Sequence, residues 1–322
     1  MTQENFAQSG LGRMDLLQGL RVGISGAVPE EQYWKRPDQN EQILRFVGLL
    51  SDLVMKYGGR IVHGNHPSFT PIIMGRANKH FGPRADGKSA TTHPHPPPVT
   101  LVASGLWPLA WEFPLLPEVV DLIQTPRFGP GDVTDAETRN KSLTALRLVI
   151  LGNVDIVISV GGKLHRGSGF NPGVLEELTI ARWQQVPCIV VAGYGGFTGE
   201  VDRDVILQFC SESGLKDKEK ESLASTDQEI DLCVGDIVAH LAKLVEERQG
   251  KAPQRRELFM IPIREPNQAG DLKIRVAEVT EPMVETAGKQ FAEVVRAMEA
   301  SNIDRIQELL NNPPSLKDSP TK

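Results

Sequence analysis

Between Arg21 and Gly64 the chain runs an apolar strand, an amphipathic helix and a second apolar strand, an order that leaves few folds open. Arg21-Val-Gly-Ile-Ser25 is a short apolar run that ends at Gly26. From about Asn40 to Tyr57, the residues Ile43, Phe46, Val47, Leu50, Leu53 and Val54 recur at helical spacing. Gly58-Gly59 stops that helix, and Arg60-Ile-Val-His63 forms the next strand, ending in Gly64-Asn65. Two strands joined by a crossover helix pair in parallel, because an antiparallel pair needs only a tight turn. Further along, Val154-Asp-Ile-Val-Ile-Ser-Val160 and Val186–Ala192 are near-continuous apolar runs, as expected of strands covered on both faces. The expected fold is α/β, a Rossmann-like doubly wound parallel sheet with a small C-terminal extension.

Residues 1–18 read as a flexible arm and 19–248 as the main domain. Within that domain, 81–98 is proline-rich and reads as a long exposed loop with polyproline character. Val99–Ala103 and Val119–Ile123 read as strands. Thr134-Asp-Ala-Glu137 has capping-box spacing ahead of a helix carrying Leu143, Leu146 and Ile150. Asn171-Pro172 reads as the N-cap and first position of a helix reaching Trp183. Helices are also expected over Val201–Phe209 and Cys233–Glu247. After Gly250 a polar linker leads to β-like runs at 258–263 and 272–279, helical patterns at 284–299 and 301–310, and a polar tail. Residues 249–322 are thus an extension, expected to offer a surface to a protein partner.

Composition removes several function classes. The 322 residues carry a net charge of -6 with 24% charged residues, so there is no general pull toward nucleic acid. Cys188, Cys210 and Cys233 are far apart and odd in number, which suggests neither a disulfide framework nor a zinc knuckle. No secretory signal and no apolar stretch of membrane-spanning length is evident, so a cytoplasmic, membrane-free protein is expected. The first turn lacks GxGxxG and strand two ends in His63-Gly64-Asn65 rather than an acid, which argues against a dehydrogenase. The absence of GxxxxGK[ST] argues against P-loop chemistry, and no cofactor or metal is expected.

What remains is a set of small residues at strand ends: Ser25-Gly26, Gly64-Asn65, Gly161-Gly162, Gly169, Gly173 and Gly193. In an open parallel sheet these turns line a crevice into which helix N-termini point, and such N-termini attract anions. Arg139, on the helical face of Leu143, Leu146 and Ile150, needs an anionic partner, either an internal carboxylate or a bound phosphate. Glu176 and Glu177 fall in the first turn of the helix after Pro172, where acids suit the helix dipole, and Glu177 shares a packing face with Val174, Leu178 and Ala181. His63, His66, His165 and Arg166 are further polar candidates near strand ends, Trp107 and Trp111 read as packing residues, and His93 and His95 as loop residues.

Arg139-Asn140-Lys141, the strand Val154–Val160, Gly161-Gly162 and Pro172-Gly-Val-Leu-Glu-Glu177 resemble the SLOG superfamily. That group includes the LOG-type (lysine decarboxylase-like) phosphoribohydrolases, the DprA/Smf proteins and the nucleotide-sensing domains of TRPM channels. The resemblance covers about residues 19–215 and is most specific between 136 and 196. It implies that Arg139 and Glu177 match the arginine and final glutamate that act on the N-glycosidic bond in LOG enzymes. The family loop reads PGGxGTxxE; this chain inserts Lys163–Asn171 within it and carries Val174 in place of the threonine. Those departures resemble the branches proposed to sense nucleotide-derived signals in bacterial conflict systems. The resemblance implies a sensor of a nucleotide or ADP-ribose-like ligand, with N-glycosidic hydrolysis and a nucleotide-independent scaffold as alternatives, and a homodimer. The implied site is Ser25, Gly26, Gly64, Asn65, Arg139, Gly161, Gly162, Gly169, Gly173 and Glu177.

Overall fold

The computed structural model describes residues 15–34, 36–82, 96–108, 115–163, 173–201, 213–225, 229–248, 261–268 and 273–315, with Val205 and Phe209. In chain order the elements are β1 (Arg21–Ala27), α1 (Gln39–Lys56), β2 (Arg60–His63), α2 (Thr70–Phe81), β3 (Val99–Ser104) and β4 (Val120–Thr125). There follow α3 (Ala136–Gly152), β5 (Ile156–Gly161), α4 (Gly173–Trp183), β6 (Cys188–Val191), the short α5 (Phe197–Glu200), α6 (Asp217–Ala224) and α7 (Ile230–Arg248). The chain then forms β7 (Ile263–Gln268), β8 (Lys273–Ala277), α8 (Glu281–Glu299) and α9 (Ile303–Asn311).

The strands form one sheet in the order β6-β5-β1-β2-β3-β4-β8-β7. All neighbours pair in parallel except β7 and β8, which are antiparallel with a bulge between Arg264 and Asn267. This is the α/β, Rossmann-like architecture that the apolar strands dictate. The chain lays down β1 to β4 outward in one direction and then returns to place β5 against the other side of β1. That reversal opens a crevice at the carboxyl ends of β1, β2 and β5, where ligands settle in open parallel sheets.

Side-chain alternation divides the core in two. Ile24, Ile61, Leu101, Leu122, Ile156 and Ile158 pack toward α1 and α7. Val62, Val102, Ile123, Val157 and Val190 pack toward the face that carries α3 and α4. The C-terminal elements belong to this second face. Val284, Ala287, Phe291, Val294, Ile306 and Leu310 join its core, and Trp183 Nε1 of α4 donates to the Leu309 carbonyl at 3.1 Å. Lys141 of α3 reaches Glu281 at 3.1 Å and Glu285 at 3.0 Å, pinning α8 to α3. At the sheet edge Leu122 pairs with Ile274, and Arg275 Nε donates to Asp121 Oδ1 at 2.8 Å.

Two local expectations differ from what forms. The N-cap of α3 is Asp135, whose carboxylate accepts from the Thr138 N–H at 2.7 Å, whereas Thr134 is held by Asp132. The helix therefore starts one residue later, because the carboxylate outcompetes the hydroxyl for the first free N–H groups. The helix α2 has no counterpart in the periodicity reading. Only Ile73, Met74 and Ala77 are apolar and buried in it, and Gly75 interrupts the pattern. Pro71 at its start supplies the helical φ instead.

Candidate functional site

Ser25 of β1 is 5% exposed and pairs in register with Ser159 of β5, itself fully buried. Among the described residues neither hydroxyl has a hydrogen-bond partner. One step further Gly26 faces Val160, so closely that a Cβ would run into the Val160 carbonyl. At the end of β5, Gly161 and Gly162 have φ of 67° and 99°, values that side chains resist. That left-handed turn lets Gly162 N–H donate to Ala27 O at 2.7 Å while Gly162 O accepts from Phe197 N–H at 3.0 Å. Gly64 has a packing role, since its bare Cα admits Ile150 of α3. Asn65 takes φ 38° at the exit of β2.

The central charged group is Arg147, on α3. Its side chain is 12% exposed, and Nη1 donates to Glu176, which is 7% exposed and also accepts from the Thr144 hydroxyl. Arg147 Nε lies 3.9 Å from Glu177 Oε1. The guanidinium covers Gly173, where a Cβ would sit 2.7 Å from Nη2. Gly173 thus leaves room for Arg147 over the N-terminus of α4. With Nη1 committed to Glu176, the side-on edge formed by Nε and Nη2 makes no hydrogen bond among the described residues and has only the 3.9 Å approach of Glu177.

Glu177 is 18% exposed. Desolvation pushes its carboxyl above the usual carboxylate range, with Arg147 and the Ser25 hydroxyl acting in the opposite sense and Glu176 reinforcing the rise. The Ser25 contact falls outside strict hydrogen-bond geometry. Two carboxylates one residue apart therefore have different lives: Glu176 is locked in an ion pair, and Glu177 is left toward β1.

The third wall is the turn after β2. His63 is buried, and its Nδ1–H donates to Ile24 O at 3.1 Å while Nε2 accepts from the His66 N–H at 3.3 Å. Both contacts require the neutral ring, and burial pushes its pKa down to about 4. His66 Nδ1 accepts from the Ser68 N–H and meets the Ser68 hydroxyl at 2.8 Å, which leaves the proton on Nε2. Burial lowers His66 to about 4, helped by the positive charges of Lys163 and Arg147, so these three groups share one electropositive region. Lys163 lies 3.6 Å from Glu30 and is otherwise half-exposed.

Of the expected site residues, Ser25, Gly26, Gly161, Gly162, Gly173 and Glu177 come together at this crevice with Asn65 at its rim. Gly169, His165, Arg166, Trp111, His93 and His95 lie outside the described residues. Gly193 faces the Ser225 carbonyl, away from β1. Arg139 does not meet Gly173. Its Nη1 donates to Val133 O at 3.1 Å, and it sits in the field of Asp135. The buried stripe of α3 runs through Thr138, Ser142, Ala145 and Val149. Arg139 is one position, about 100°, round from that stripe. Arg147 was open to detection from sequence as the lone charge between Lys141 and Asp155, inside the apolar run Leu143–Leu151. A charge in such a run needs a buried partner.

Among the described residues, no group of three or more His, Cys, Asp or Glu side chains could hold a metal ion, and no helix is long and apolar enough to cross a membrane. No curated protein matches the chain. The family described as SLOG cluster2 matches residues 113–225, which run from before β4 through α3, β5, α4 and β6 to the end of α6. That match points to a nucleotide-related binding or sensing domain. The segment it spans holds Arg147, the Gly161-Gly162 turn, Glu176 and Glu177, and over these residues, set in the parallel sheet, the chain is similar to the SLOG superfamily.

Proposed function

We propose that the β1–β2–β5 crevice binds a nucleotide-derived, phosphate-bearing ligand and that the domain acts as a sensor of it in a signalling or conflict system. The observation that carries this reading is the unspent edge of Arg147, a nearly buried guanidinium held over Gly173 at a helix N-terminus. A planar fork of two N–H donors matches a phosphate, and the start of α4 adds partial positive charge. Lys163 and the His66 Nε2–H supply further donors. The Ser25 hydroxyl and Glu177 suit ribose hydroxyls.

The test is thermal denaturation with inorganic phosphate, AMP, ADP and ADP-ribose. A ligand at 100 times its Kd adds about 2.7 kcal/mol. Stabilisation by at least one nucleotide is expected, lost in Arg147→Ala and kept in Arg139→Ala. No stabilisation by any of the four, or loss in Arg139→Ala alone, would overturn the reading.

One observation favours N-glycosidic hydrolysis as a second reading. The raised carboxyl of Glu177 suits a general acid or base, a group that changes protonation during a reaction. Free base released from a nucleotide, seen by chromatography and abolished by Glu177→Gln, would establish it; intact ligand after prolonged incubation would exclude it.

A further inference from the structure

Beside the crevice a cleft of about 350 Å³ opens between α3 and α8, lined by Asn140, Thr144, Arg147 and Glu176 on one side and by Phe291, Val295 and neighbouring α8 residues on the other. Its volume lies at the lower end of the range for small-molecule pockets, room for one ring-bearing unit rather than a whole dinucleotide. The Arg147–Glu176 pair forms part of its wall and also reaches Gly173 at the crevice. The cleft is open because α8 carries glycine at 288, where a Cβ would meet nothing within 4 Å. Its lining combines apolar surface with an amide, a hydroxyl and two charged groups, the mixture that seats a sugar or a base. The α8 wall lies outside the 113–225 segment, so it is a contribution of this chain's C-terminal part.

We propose that the α3–α8 cleft receives the second ring-bearing half of the ligand. Arg147 then holds a pyrophosphate between two lobes, one in the crevice and one against α8. The ligand class is an elongated dianion with a sugar or base at each end. This proposal rests on the crevice reading, and it makes α8 part of the site: a ligand filling both lobes bridges α4 and the C-terminal helices.

The experiment compares AMP with ADP-ribose by calorimetry on the full chain, wild type and Gly288→Leu, with Ala292→Leu filling the cleft one turn further along α8. The wild type should bind ADP-ribose about tenfold or more tighter than AMP. Each filled-cleft variant should lose that advantage while binding AMP as before, with a melting temperature no lower than that of the wild type certifying the fold. If AMP and ADP-ribose bind the wild type equally, or the variants keep the ADP-ribose advantage, the cleft takes no part and the proposal is overturned while the crevice reading stands. If neither nucleotide nor inorganic phosphate binds the wild type, both fall together.

Discussion

Arg147→Met removes one half of an ion pair whose two side chains are only 12% and 7% exposed. The substitution nearly preserves volume, so the main effect is a carboxylate left buried with Thr144 as its remaining partner. Breaking a buried pair from one side costs about 3–5 kcal/mol. The surviving Thr144 bond places the expected loss at the lower end, about 3 kcal/mol. Glu176→Leu strands a cation instead, but Glu177 lies 3.9 Å away as a fallback, so about 2 kcal/mol is expected. The double variant Arg147→Met/Glu176→Leu leaves no unpaired charge from that ion pair, only the Thr144 hydroxyl without its acceptor, and should return to within about 1–2 kcal/mol of wild type. Urea denaturation at pH 7.5 measures all four proteins, with constant m-values certifying comparable transitions. A coupling of about 2 kcal/mol or more is the signature of a desolvated pair. If Arg147→Met costs less than about 1 kcal/mol, the pair behaves like a solvated surface bridge and the reasoning about its burial fails.

Other consequences follow from the same geometry. Gly173→Ala should barely alter stability, since a side-chain tip can move aside, yet it displaces Arg147 and should weaken binding of the stabilising nucleotide by about tenfold in calorimetry; unchanged affinity would remove Arg147 from the site. His63 has its folded pKa depressed from 6.5 to about 4. Its contribution is therefore complete above pH 6.5 and is lost as pH falls toward 4, up to about 3 kcal/mol. Urea midpoints at pH 7 and 4.5 should fall less in His63→Gln than in wild type, and equal slopes would contradict the buried neutral ring. Gly288→Ala adds a methyl into open space in a helix interior and should stabilise by about 1 kcal/mol, raising the melting temperature; a lower value would mean the helix is strained there. Trp183→Phe frees the Leu309 carbonyl, with Gln290 3.5 Å away as a weak substitute, and should cost about 1 kcal/mol by urea melt.

The sheet was legible because its strands are short, apolar and closed by glycine, so Val154–Val160 and Val186–Ala192 pointed to β5 and β6 without tertiary information. Helix α2 was not, because three buried apolar residues around Gly75 carry too little periodicity. The C-terminal runs suggested strands, but not that β8 would pair beside β4, since strand partners depend on long-range register rather than on local pattern. At the site, the glycine turns and Glu177 were legible from their place after apolar runs. Arg147 was legible only as the lone charge in the run Leu143–Leu151, with no local pattern to name its partner, and Arg139 was misplaced because helical phase on α3 was set from Leu143, Leu146 and Ile150, whereas the buried stripe passes through Thr138 and Ser142. Small polar residues held by neighbouring backbone, as Ser142 is by Phe128, substitute for apolar ones on a sheet-facing stripe and shift its apparent direction.

The geometry of Arg147 also limits how a ligand can use it. A ligand that pulled the guanidinium off Glu176 would have to offset the cost of a stranded carboxylate, about 3 kcal/mol or some hundredfold in affinity. A ligand that takes only the Nε–Nη2 edge avoids this, because Nη1 stays on Glu176 and the fork is already oriented. The remaining obstacle is Glu177, 3.9 Å from Nε and repulsive to phosphate when ionised. Its raised pKa lessens that obstacle, since binding an anion beside it favours the proton further. Phosphate binding should therefore be coupled to proton uptake, and affinity should fall as pH rises through the Glu177 pKa. In Glu177→Gln, which cannot ionise, that fall should vanish while affinity at high pH improves. Titrations of the stabilising nucleotide across pH 5 to 8 decide it: a Glu177→Gln profile parallel to wild type would show that the carboxylate lies outside the reach of the bound anion.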